Sequence, residues 1–298
     1  MPTPFFSICI PVYNMVSTVG QSIASVLAQT SDNWELVVID NQSTDGTWEY
    51  ISNTFAQDKR VQLLRNEANL GMRGNLNRCL DVCTGQWLGI LPADDEYRAH
   101  CLQTIHAQVT KNSALVMWTH SHFVHGVDVK PNITNVYTSE THFLNRDIAE
   151  LLYIKGNLFG ELSSYFVRTT AFKRNEINFS DGALDVDLRF WIRVLKANPS
   201  GEFIYWPDSL ASVWQHPASG SSTADKYSTY CSAFEMIDRL ASLGWNRVIL
   251  FRQCIRILKM IYSAGLGQPE VFRKGTRVLG SLLTTLTDSR SNNMRALT

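Results

Sequence analysis

Trp87-Leu88-Gly89-Ile90-Leu91 is an apolar run without polar alternation, followed at once by Pro92-Ala93-Asp94-Asp95. Such a run fits a strand covered on both faces, as occurs where helices pack on either side of a parallel sheet. The residues before it agree. Asn69-Leu70-Gly71 reads as a turn, because Asn and Gly tolerate left-handed backbone angles. Met72 to Cys83 reads as a helix with Met72, Leu76, Cys79, Leu80 and Cys83 on one apolar stripe, and Gly85 reads as its C-cap. The unit therefore sets two acids just past the carboxyl end of a buried strand, where ligands bind in open α/β sheets.

The upstream chain repeats the pattern. Phe5 to Pro11 is an apolar strand, and Val12-Tyr13-Asn14 is a turn. Val16 to Gln29 is a helix with Val19, Ile23, Val26 and Leu27 facing inward. Trp34 to Asp40 is a second buried strand that ends on an acid, and the polar loop 41–47 leads into the next helix. Val61 to Leu64 is a third strand. Strands and helices in strict alternation predict an α/β chain with a doubly wound, mostly parallel sheet. No GxGxxG is present, which argues against a dinucleotide-binding domain.

Adjacent carboxylates repel unless a cation or protons neutralise them. Hard oxygen donors suit Mg²⁺ or Mn²⁺, which commonly bridge carboxylates to a substrate's phosphates. The plain alternative is a pair of turn or N-cap acids. Asp40 has the same two readings: an acceptor for a ribose hydroxyl or base N–H, or a capping acid. Arg65 and Arg73 are placed either to pair with a diphosphate or to lie on a solvated face.

From Asn69 to Asp95 the sequence resembles the core of family 2 glycosyltransferases, inverting enzymes of the GT-A fold. The resemblance rests on N-x-G at 69–71, N-x-N at 75–77, a helix ending in Gly, an aromatic-led strand and a terminal acid pair, and it extends over about residues 5–97. Pro11, Tyr13, Asn14 and Asp40 match the positions that hold the nucleotide in that family. VVIDNQSTDGT resembles its V-x-x-D-D-x-S-x-D-G-T, with Asn41 in place of the second Asp. The resemblance implies that Asn69, Gly71, Arg73, Asn75 and Asp94 also serve the donor, and that Asp94 and Asp95 hold Mn²⁺ or Mg²⁺. Pro92 stands where the family often has the first Asp of Asp-x-Asp-Asp.

Further on, Asp185 or Asp187 can begin a helix with Leu188, Trp191, Ile192 and Leu195 on one stripe, and an acid there suits the helix dipole. The family has an acid six residues before the Arg of a W-x-R stretch, a spacing met by Asp187 and Arg193. The resemblance makes Asp187 the general base, with Asp185 in reserve. A sugar hydroxyl is a poor nucleophile, so a positioned carboxylate has a task. Trp214-Gln215-His216 resembles the family's Tyr-Arg-x-His, which places His216 on the metal or the diphosphate.

The remaining chain adds limits. His120 and His122 share one face of a strand over 114–124, a metal-like spacing, but no Cys or acid completes a set, so they read as structural. A strand is expected over 202–205 and helices over 100–109, 145–153 and 245–262. The 298 residues are 45% hydrophobic and 18% charged, with no net charge, which gives no nucleic-acid signature. Six dispersed cysteines suggest reduced thiols, and MPTPFF is not a signal peptide. A cytoplasmic protein is therefore expected, and the Asn132-Ile133-Thr134 sequon has no meaning there. From Asp225 onward eleven Lys and Arg face five acids, leaving a net +6. That basic helical region suggests peripheral contact with the cytosolic face of a membrane.

The expected layout is a GT-A domain over 1–224, with a nucleotide half (1–97) and an acceptor half (98–224), and a helical extension over 225–298. The expected activity is metal-dependent transfer of a hexose from a nucleoside diphosphate sugar, UDP-linked, to a saccharide or lipid-linked acceptor, as in polysaccharide synthesis. The alternatives are a nucleotidyltransferase making the sugar nucleotide, which would need a Gly-rich basic phosphate loop after strand 1, and a non-catalytic sugar-nucleotide or glycan-binding module.

Overall fold

The computed structural model describes residues 3–126, 132–133, 137–147, 161–174, 176–179, 186–215, 247–263 and 273–283, with single positions at 234, 237, 238 and 241. The first half alternates without exception. It runs β1 (Phe6–Val12), α1 (Val19–Leu27), β2 (Trp34–Asp40), α2 (Thr47–Phe55), β3 (Val61–Arg65), α3 (Gly71–Val82) and β4 (Trp87–Ile90). Strands β3, β2, β1 and β4 lie side by side and are all parallel. Their carboxyl ends therefore open onto one rim, with Val12 level with Asp40 and Asp40 level with Arg65. Burial explains the unbroken apolar runs: Ile8, Ile10, Leu36, Val37, Val38, Leu88 and Ile90 are all covered.

The second half extends the same sheet with mixed directions. β5 (Glu96–Tyr97), α4 (Cys101–Val109), β6 (Leu115–Gly126), β7 (Asn132–Ile133), β8 (Thr141–Leu144), β9 (Tyr165–Arg168), α5 (Thr169–Lys173), α6 (Val186–Ala197) and β10 (Glu202–Gln215) follow. β9 inserts antiparallel between β4 and β6, and β10 runs parallel to β6. The sheet order is β3-β2-β1-β4-β9-β6-β10-β5, with β7 on β6 and β8 on β10.

Four local expectations are revised. Met72 does not join the buried stripe of α3; it is 58% exposed, while Leu76, Cys79, Leu80 and Cys83 are covered. Gly85 is not a left-handed cap, since α3 already ends at Cys83 with extended angles. Its missing side chain serves close packing, because a Cβ there would stand 2.6 Å from the backbone nitrogen of Ser7. β10 does not stop at Tyr205 but runs on through Pro207, with register shifts against β6 between Trp206 and Ala211 that absorb the proline. Of the helix expected over 145–153, the described part is a 3₁₀ turn at Asn145–Asp147.

The chain divides into two compact units, one formed from 1–146, 158–181 and 186–217, the other from 147–157, 182–185 and 218–298. The second contains α7 (Arg247–Ser263) and a helix over 273–283. These two helices meet where the Cys254 thiol reaches the Gly275 carbonyl at 3.3 Å. Arg252, Arg256 and Lys259 lie exposed along α7. No described helix is long and apolar enough to cross a membrane.

Candidate functional site

The rim of the parallel strands is built by two loops that hold each other. Asn14, after β1, takes a left-handed φ of 52°. Its amide N–H donates to Ser43 Oγ at 2.9 Å, and its Oδ1 accepts from the Thr44 amide at 2.8 Å. Asp45 accepts from the Val16 and Thr47 amides and so tethers the loop to the start of α2. Pro11 is half-buried on β1, while Tyr13 stands 45% exposed at the rim.

Asp40 is fully buried at the end of β2. Its Oδ2 pairs with Arg65 Nε at 3.0 Å, and both oxygens face the Ser43 amide. Arg65 also donates to the Ser43 carbonyl and lies over the Trp48 ring. Its guanidinium is thus committed to the loop, not left as a solvated face.

Behind this rim runs an asparagine network. Asn41 Nδ2 donates to Asn69 Oδ1 at 2.9 Å, and Asn41 Oδ1 accepts from both Asn66 Nδ2 and the Leu70 amide at 2.9 Å. Asn66 also donates to Asn75 Oδ1 at 3.0 Å, and Asn75 Nδ2 reaches the Ile39 carbonyl at 3.2 Å. Asn69 Oδ1 receives the Gly71 amide at 2.8 Å, and Gly71 adopts a left-handed φ of 68°. Asn41, Asn66 and Asn75 are all buried, so Asn75 lies in the wall of the site, whereas Asn69, Gly71 and Arg73 are exposed at its surface. In sequence Asn41 is marked only as a replacement for the family's second Asp, and Asn66 does not stand out. For Asn66 the signal is position: it follows β3 as Asn41 follows the end of β2.

Past β4, the acid pair separates. Asp94 is half-exposed, whereas Asp95 is 3% exposed. Asp95 Oδ1 accepts the backbone N–H of Trp214 at 3.1 Å, which ties β10 to the acid pair. Burial and the adjacent negative charge of Asp94 push the Asp95 carboxyl well above the usual carboxylate range. Glu161, which sequence reasoning passed over as a loop residue, joins them: burial and the charge of Asp94 raise its carboxyl too.

Asp187 lies half-buried in the first turn of α6. Burial raises the Tyr165 phenol, and the charges of Asp187, Tyr205 and Glu161 add to that. The placement of α6 is over-determined. Trp191 stacks on Tyr165 at 4.9 Å, and Phe190 stacks on Phe179 at 4.3 Å. Phe179 is gripped from α3 by both ends of the Asn77 amide, which donates to its carbonyl at 3.0 Å and accepts its N–H at 2.7 Å. Asp185 and His216 lie outside the described residues. His120 and His122 are buried in the sheet, bonded to the Ser121 carbonyl and the Ser164 hydroxyl.

The acids fit a divalent cation. A buried carboxylate crowded by a second one is relieved by positive charge, and both are hard oxygen donors. Among the described residues no three His, Cys, Asp or Glu side chains are gathered as a complete metal set. Such a cation would therefore draw further ligands from substrate oxygens and water.

A family model described as Glycosyl transferase family 2 matches residues 7–173, more than half the chain. A relative from Escherichia coli, described as UDP-Glc:alpha-D-GlcNAc-diphosphoundecaprenol beta-1,3-glucosyltransferase WfgD, is 38% identical over 112 residues, which are 38% of this chain and 44% of that protein. An uncharacterized glycosyltransferase of Haemophilus influenzae is 23% identical over 286 residues, 94% of this chain and 84% of the relative. The crystal structure of S. aureus TarS 1–349 in complex with UDP-GlcNAc superposes with a TM-score of 0.67 at 16% identity, covering 93% of this chain and 80% of that one.

Proposed function

Since the chain belongs to glycosyl transferase family 2 and has the GT-A fold, we propose that it transfers a sugar from a nucleoside diphosphate sugar, UDP-linked, to a hydroxyl of a saccharide or lipid-linked acceptor, with inversion and with a divalent cation. One observation carries this reading. A buried acid, Asp95, stands beside half-exposed Asp94 just past the carboxyl end of β4, and the crowding of the two negative charges with burial raises the Asp95 carboxyl. UDP-Glc as the donor of WfgD and UDP-GlcNAc in the TarS complex support the donor class.

In this reading Tyr13 and Asn14 line the base and ribose. Asp40, held by Arg65 and Ser43, shapes the loop they stand on. Asn69, Gly71 and Arg73 face the donor, and buried Asn75 keeps their turn in place. Asp187 takes the proton of the acceptor hydroxyl as its oxygen bonds to the anomeric carbon. The carbon–oxygen bond to the diphosphate breaks, and the nucleoside diphosphate leaves. Mn²⁺ or Mg²⁺, held by Asp94 and Asp95 with His216, would offset the charge developing on that diphosphate. The basic face of α7 would keep the chain at the cytosolic surface of a membrane, near a lipid-carried acceptor.

The test is a nucleotide-sugar panel with Mn²⁺ in wild type and in Asp187→Asn. Transfer is expected to fall by about 10²–10⁴-fold in the variant, the range typical of general bases, with UDP affinity unchanged. Undiminished transfer in a folded variant defeats the base assignment. Tight UDP binding without transfer or donor hydrolysis in wild type makes the protein a binding module, and pyrophosphate release from an NTP and a sugar phosphate makes it a nucleotidyltransferase.

A further inference from the structure

Trp214 stands apart from the other large side chains of its sheet. Trp34, Trp87 and Trp118 are buried, whereas Trp214 is 42% exposed. It is nonetheless tightly placed. Its backbone N–H is bound to Asp95 Oδ1 at 3.1 Å. Its partner across the parallel β6–β10 ladder is His125, and the two rings stack at 4.5 Å with planes 16° apart. Phe123, two residues back on the same face of β6, packs on His125 at 4.6 Å. The result is a run of three rings ending in the indole of a residue whose backbone is held by the candidate acid pair.

We propose that this indole, braced by His125 and Phe123, is the stacking surface for a pyranose ring of the acceptor saccharide. The inference rests on the reading of Asp94 and Asp95 as the reaction centre. An aromatic face is electron-rich and attracts the polarised C–H groups on one face of a sugar ring. A ring already held by neighbours loses little freedom when a ligand covers it, so more of the contact energy appears as affinity. The donor's nucleotide belongs to the other side of the acids in this reading, where the loops after β1 and β2 lie. A sugar seated on Trp214 therefore comes to the acids from β10, opposite the leaving diphosphate.

Saturation-transfer NMR tests this with methyl glycosides of glucose, galactose, mannose and N-acetylglucosamine and their disaccharides. Wild type, Trp214→Ala and Trp214→Phe are compared, with UDP affinity measured on each by calorimetry in Mn²⁺. At least one glycoside is expected to receive saturation on its ring protons in wild type. That binding should weaken by tenfold or more in Trp214→Ala, largely persist in Trp214→Phe, and leave UDP affinity unchanged in both. No glycoside signal in wild type overturns the proposal. So does a signal that survives Trp214→Ala, or a loss of UDP affinity in both variants, which would assign the indole to the donor. If UDP does not bind wild type but glycoside binding still depends on Trp214, the donor reading fails and the stacking surface stands.

Discussion

Asn77 illustrates how one side chain reaches the site without touching it. Its amide replaces a strand partner for Phe179, satisfying both backbone groups of that residue. Phe179 in turn stacks on the helix that carries Asp187. Asn77→Ala leaves a part-buried donor and acceptor unpaired, at about 1–3 kcal/mol for each group left without a partner. The urea midpoint is expected to fall accordingly, with UDP affinity unchanged because α3's other asparagine contacts remain. An unaltered midpoint would show that the grip contributes nothing. At this scale the sequence placed two acids side by side but not their different surroundings. Asp94 and Asp95 are equivalent as letters. In the fold Asp95 is buried and bonded to the Trp214 amide, 119 positions away, while Asp94 is half-exposed.

Among the elements, β10 departs furthest from the sequence reading, while β6 follows it. The strand expected at 202–205 continues to Gln215 because the register shifts around Pro207 and Asp208 let a residue without an N–H lie in a ladder. The extension matters, since it delivers Trp214 to Asp95. β6 holds two buried histidines whose protonation the fold resists: burial lowers His120 to about 3 and His122 to about 4, from an ordinary 6.5. The unfolded chain binds protons at these groups below pH 6.5, and the folded chain does not. Their contribution to stability is complete above pH 6.5 and is lost as pH falls toward 4, by up to about 1.4 kcal/mol per pH unit for each histidine. A urea midpoint that is flat above pH 7 and declines steeply below pH 6 is expected, with a shallower decline in His122→Gln. A midpoint constant from pH 7 to pH 5 contradicts it. Gly85 was legible as a glycine with a task, but the task is close approach to Ser7, which no local pattern encodes.

For the molecule as a whole, zero net charge conceals an asymmetry. The +6 of residues 225–298 is balanced by the rest of the chain, and Arg252, Arg256 and Lys259 lie exposed on α7. Basic side chains near an anionic bilayer contribute about 1 kcal/mol each, screened by salt. Flotation with phosphatidylserine vesicles is expected to recover the protein at low salt, and the triple substitution Arg252→Gln, Arg256→Gln, Lys259→Gln should abolish recovery. Absence from the lipid fraction at low salt would remove the membrane proposal. The linear order of residues determined the parallel half of the sheet and the rim on which Asp40, Asp94 and Asp95 stand, because hydrophobic periodicity and turn chemistry act over a few neighbours. Tertiary structure alone decided that Asp40 is locked to Arg65, that four asparagines knit the rim loops together, and that the Asp95 carboxylate is tied to the backbone of β10 at Trp214. Those contacts join distant segments, and their partners exist only once the sheet has brought its strand ends together.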